Sequence, residues 1–141
     1  SGNWIVTKYQ KADGTAVVDS GLSSKIVNAT RDNTLANGTQ AITGAGFKPT
    51  ACICFAAISA NSAAAWGFAD SALAEGGNRD RHAESADTYL IMTVSLILMS
   101  TASGVANEAV LTSFDADGCT LTWTKTGAPA GTTDMAFLFL K

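Results

Sequence analysis

Charge is scarce in this 141-residue chain: Asp, Glu, Lys and Arg together make up 15% of it, against 47% apolar residues. That much apolar material can bury enough surface to offset the entropy of ordering, which argues against extensive disorder. A basic excess is missing as well. The net charge is −3, so the chain lacks the phosphate-neutralising balance that nucleic-acid binding demands. There is one histidine, His82, and no Cys-x-x-Cys pair, which leaves the usual zinc ligand sets without donors. Long apolar runs are missing too. Tyr89 to Met99, the longest, is interrupted by Thr93 and Ser95 and falls well short of the roughly 20 residues of a membrane helix. It reads as a buried strand or a bent pair of strands. Ser1-Gly2-Asn3-Trp4 has neither the basic nor the apolar region of a secretory leader. The phosphate-loop, HExxH and GxSxG signatures are absent, and Gly44-Ala45-Gly46 precedes a strand, the wrong order for a dinucleotide loop. The expectation is a non-enzymatic protein with no catalytic residues, cofactor or metal, and with no nucleic-acid or membrane partner.

Cysteine is sparse: Cys52, Cys54 and Cys119. The first two are two residues apart, so on a strand they share a face and stand parallel, a poor arrangement for a disulfide. All three are expected to be buried free thiols acting as small hydrophobes.

Among the residues that are present, period two dominates. Cys119, Leu121 and Trp123 fall on one face of a segment whose other face is Thr120, Thr122 and Thr124, the pattern of a half-buried strand. Gln40 and Ile42 alternate more weakly with Thr39, Ala41 and Thr43. Met135 to Leu140 is apolar on both faces, as in a central strand or a subunit contact. Lys11-Ala12-Asp13-Gly14, Asp19-Ser20-Gly21, Asn37-Gly38, Gly44-Ala45-Gly46, Ser103-Gly104 and the Gly127-to-Gly131 segment punctuate these runs. Turns at roughly ten-residue spacing predict an all-β chain, an antiparallel, jelly-roll-like β-sandwich of about 8–10 short strands. Residues 38–141 are assigned to the sandwich and residues 1–37 to N-terminal strands or an arm, the whole forming one compact domain. The alanine-rich Asn61-to-Glu75 segment competes as a helix. Trp66-Gly67-Phe68, with two aromatics on one strand face, favours a strand near Ala64–Asp70.

Two stretches carry enough polar side chains for chemistry. Asp115-Ala116-Asp117-Gly118 has the composition of a hairpin bend, in which glycine supplies a positive φ and the aspartates bond local amides. The late glutamate of a calcium loop is missing. Glu75 to Glu84 concentrates Asn78, Arg79, Asp80, Arg81, His82 and Glu84. This reads as a solvated or intersubunit loop with Arg–carboxylate pairs, or as a ligand loop for sugar hydroxyls. An acid/base centre at His82 would have to be carried by one loop without a nucleophile motif.

The segments GTQAITGAGFKPTACICFAA (Gly38–Ala57), WGFAD (Trp66–Asp70), VLTSFDADGCTLTWT (Val110–Thr124) and FLFL (Phe137–Leu140) together resemble small β-sandwich domains of tailed-bacteriophage virion proteins. There a G-F-x-P strand and an F-D-x-D-G-F-T-L-x-W hairpin recur. Cys119 stands where that pattern more often has phenylalanine. A looser similarity is to the H-type lectin sandwich. The resemblance implies a structural protein on the virion exterior, above all a capsid decoration (cement) protein. Such a protein forms a homotrimer and contacts the major capsid protein. The alternative it implies is a tail-associated module that binds a host glycan through Asn78–Glu84 and Trp66. In either case Trp4, Ile5 and Tyr9 are candidate arm contacts that add a strand to a neighbour or lie along the shell.

Overall fold

The computed structural model describes residues 21–58, 63–73, 75–81, 88–93 and 95–141. These residues form ten strands and no helix: β1 Ser24–Asp32, β2 Gly38–Thr43, β3 Ala51–Ile58, β4 Ala63–Asp70, β5 Glu75–Arg81, β6 Thr88–Thr93, β7 Ile97–Ala102, β8 Val105–Asp115, β9 Gly118–Thr126 and β10 Thr132–Leu140. They assemble into a six-stranded sheet, β1-β10-β3-β4-β5-β6, and a four-stranded sheet, β2-β9-β8-β7. Every pairing among these strands is antiparallel. This is the expected sandwich.

Alternation places the core between the layers. From the four-stranded sheet come Ile42, Leu121, Trp123, Ile97 and Met99; from the six-stranded sheet come Cys54, Ile58, Phe137 and Phe139, all essentially without solvent exposure. The Phe137 and Phe139 rings stack with centroids 5.5 Å apart. Cys119, Leu121 and Trp123 share the buried face of β9 as their spacing requires. Arg31 closes one end of this core, its guanidinium 4.9 Å above the Trp123 ring and Nη2 donating to the Ala36 carbonyl at 2.9 Å. Beside it the Asn33 side-chain oxygen accepts from Asn107 Nδ2 (2.7 Å) and Thr133 Oγ1 (2.8 Å), so a buried amide is satisfied by two strands from different sheets.

Several local expectations are resolved. The long apolar run divides into β6 and β7, which lie in different sheets. The alanine-rich segment is strand β4, with Ala63, Ala65 and Ala69 inward and Trp66 and Phe68 outward. β1 pairs along its whole length with β10, from Ser24↔Leu140 to Asp32↔Thr132. Of the two readings of residues 1–37, N-terminal strands or an arm, Ser24–Asp32 follows the first, as an edge strand of the domain's own sheet. Trp4, Ile5 and Tyr9 lie outside the described residues.

The assignment of Asn78–Arg81 to a loop requires correction. These four residues belong to β5, whose register sets Asn78 opposite Trp66, Arg79 opposite Ala65 and Asp80 opposite Ala64, with β6 on the other side. Two flanking strands take up the backbone donors and acceptors of β5 and override its poor intrinsic strand preference. His82 and Glu84 lie outside the described residues.

Candidate functional site: the outer face of the six-stranded sheet

Register builds this face row by row. Residues that point away from the core line up across the strands. Ile26, Leu138, Ile53 and Phe68 form one row across β1, β10, β3 and β4. Asn28, Ala136, Phe55 and Trp66 form the next, followed by Thr30, Asp134, Ala57 and Ala64. A sheet face turned to water ordinarily carries polar side chains. Here Ile26 is 65% exposed, Phe55 60%, Trp66 43% and Phe68 44%, while Ile53, Leu138 and Leu140 are half-buried.

The face has relief. The Trp66 and Phe68 rings lie 6.2 Å apart, tilted by 31°. Phe68 folds over Gly76, its paired neighbour on β5, where a Cβ would come within 2.8 Å of the ring. An aromatic that covers a strand glycine in this way shields the backbone the glycine leaves bare. Next to the aromatic row, the alanine row opens a hollow of about 870 Å³ walled by Phe55 and Trp66 and edged by Asn28, Thr30 and Asp134.

The DADG hairpin does more than turn the chain. Ala116 and Asp117 connect β8 to β9, and Gly118 adopts φ +145°, where a Cβ would collide with the Ile42 carbonyl. Asp115 accepts from Ser113 Oγ (2.7 Å) and Thr120 Oγ1 (2.6 Å), and these bonds hold its carboxyl below the usual range. Asp117 Oδ2 accepts from Gly44 N–H (3.0 Å) and Oδ1 from Gly46 N–H (2.6 Å), while its carbonyl takes Gly44 and Ala45 N–H. The two carboxylates diverge into separate partner sets, and Asp117 pins the Gly44-Ala45-Gly46 bend to the hairpin. The hairpin itself is as expected; the partners of Asp117 lie 71–73 residues upstream, beyond any local pattern.

Two further groups escaped the sequence. Glu75, at the start of β5, crosses to the four-stranded sheet. There Oε1 accepts Leu111 N–H at 2.8 Å, just past the point where β7 stops covering that edge of β8. Burial raises the Glu75 carboxyl above its ordinary value, against the lowering effect of its bonds to the Leu111 and Leu96 amides; the Glu108 charge adds to the rise. Glu108 itself accepts from Ser95 Oγ. A separate pocket of about 510 Å³ is lined by Lys48, Ser71, Leu73, Thr112, Ser113 and Lys141, among others. Leu73 sits there at φ +59°, a conformation that costs a side-chain-bearing residue of order 1 kcal/mol or more. As expected, Cys52, Cys54 and Cys119 are free and buried. Burial pushes the Cys52 thiol up to about 12 and drives Cys54 and Cys119 upward as well, so none is a ready nucleophile.

Fold and face together define a class: an antiparallel β-sandwich whose larger sheet carries apolar side chains on its outer face as well, across β1, β10, β3 and β4. Comparison with known proteins adds no match, whether to a protein family, a curated protein or a solved structure.

Proposed function

We propose that the chain is a structural protein of a bacteriophage virion, a decoration protein that sits on the head and clamps its neighbours through protein–protein contacts. The observation that carries this reading is the outward apolar face. A contiguous apolar surface of this kind on a soluble sandwich marks an interaction site. The resemblance of Gly38–Ala57, Trp66–Asp70 and Val110–Thr124 to virion sandwich domains supplies the setting, and the major capsid protein is the partner it implies.

A second reading, adhesion to a host glycan from the tail, is favoured by the Lys48–Lys141 pocket, where hydroxyls and two cations meet an apolar wall at a strained leucine. Copy number separates the two. Calibrated mass spectrometry of purified virions should find hundreds of copies per particle, on the head in cryo-EM maps. A handful of copies at the tail tip would replace the decoration reading with the adhesion reading.

A further inference from the structure

We propose that the outer face of β1-β10-β3-β4 pairs with the same face of a second copy of this chain, each copy seating its Phe55–Trp66 ridge in the alanine-floored hollow of the other. The proposal rests on the assembly reading only in taking this face to be covered.

Self-complementarity points to a second copy. The ridge and the hollow occupy adjacent rows of one face: Phe55 stands on β3 two residues from Ala57, and Trp66 on β4 two residues from Ala64. A twofold contact requires that one patch carry both the protruding and the receiving element, because each copy offers the other the same residues. A half-turn that sets the aromatic row of one copy over the alanine row of the other satisfies both at once.

Size sets the strength of the contact. Four strands at about 4.8 Å spacing and about seven residues at 3.3 Å each give a face of roughly 19 by 23 Å, on the order of 440 Å² in projection. That is about half of the roughly 800 Å² per partner of a standard-size interface before side-chain relief is added, so the pair belongs with the smaller, weaker interfaces. Its make-up is mostly apolar, with Asn28, Thr30 and Asp134 edging the hollow that receives the ridge. A twofold pair departs from the threefold ring that the resemblance implies, and the mass of the species decides between them.

The full chain should sediment as a dimer at micromolar concentration. Phe55→Glu, which removes the ridge, and Ala64→Trp, which fills the hollow, should each weaken pairing by at least about thirtyfold, the loss of one hot-spot contact. The circular dichroism and melting of the dilute protein should stay unchanged. Thr122→Glu, on the outside of the other sheet, should leave pairing intact. Persistence of the dimer in both face variants would overturn the proposal, and so would a trimer. A monomeric wild type would overturn it as well, and Phe55→Cys then tells what covers the face, since the native thiols are buried. If the introduced thiol is blocked to maleimide, another part of the same chain covers it; if it reacts, the face awaits a different protein. A monomer that still coats virions defeats the pairing and spares the structural reading. A dimer absent from virions does the reverse.

Discussion

The two outer faces of the sandwich obey the same alternation and differ in their large side chains. Outside the four-stranded sheet stand Thr39, Ala41 and Thr43 on β2, Thr120, Thr122 and Thr124 on β9, and Thr112 on β8, with the Thr112 and Thr122 hydroxyls 2.6 Å apart. Outside the six-stranded sheet stand Ile26, Leu138, Ile53, Phe55, Trp66 and Phe68. Threonine keeps the β-branched shape that suits a strand while offering water a hydroxyl. The aromatic and aliphatic rows offer water nothing. Inward side chains therefore determine that there is a sandwich, and outward side chains give each sheet its own surface chemistry.

The largest effect should come from the layer that both sheets share. Trp123 is fully buried and carries Arg31 over its ring. Trp123→Ala should cost about 3–5 kcal/mol, as for other large buried aromatics, and should leave the Arg31 charge over a cavity. Urea denaturation measures it. Wild-type-like stability would mean that the core is not where the alternation places it.

The Asp117 corner comes next, because it ties the β8–β9 hairpin to the Gly44-Ala45-Gly46 bend between β2 and β3. Asp117→Ala removes acceptors from the Gly44 and Gly46 amides and should cost about 1–2 kcal/mol. Asp117→Asn should recover part of that, since an amide oxygen still accepts one bond. Equal loss in both variants would show that the charge, not the acceptor geometry, holds the bend.

The legibility of the sequence follows the same division. β9 could be read from its alternation, β4 from two aromatics on one strand face, and β10 from an apolar run of strand length bounded by turn residues. β5 could not: Gly76, Gly77 and the charged residues after them have little strand preference, and β5 exists because β4 and β6 flank it. The Asp117–Gly46 and Glu75–Leu111 bonds were equally hidden, since each joins residues far apart in sequence through one carboxylate and one amide. The apolar outer face was half visible. Met135–Leu140 shows its two-sided character alone, but the rows that make it a surface appear only when four strands are laid side by side.

Glu75 supplies a pH test of how the sheets are joined. Its folded-state pKa lies above the ordinary 4.5, so between those two values the folded chain binds more protons than the unfolded one. Its contribution is then most favourable at low pH and is lost as pH rises through the window. Glu108 from β8 and Cys52 from β3 face the same region. Glu75→Gln keeps an acceptor for Leu111 N–H and removes the titration. The melting temperature of the wild type should fall relative to that of the variant as pH rises from 4.5 toward neutrality. Parallel pH profiles for the two proteins would mean that the carboxylate is better solvated than its contacts indicate.

The smallest effect on stability is also the sharpest test of the contrast between the faces. Phe55→Thr places on the six-stranded sheet the residue type that covers the other one. Phe55 is largely exposed, so little burial is lost within the single chain, and threonine retains strand preference. In dilute protein the change should stay within about 0.5 kcal/mol, the range of surface substitutions. Phe114→Thr, at a position with 8% exposure on the inner side of β8, should cost several times more. Similar costs for the two would mean that Phe55 is packed against something in the isolated chain, and the outer face would then have to be counted as core.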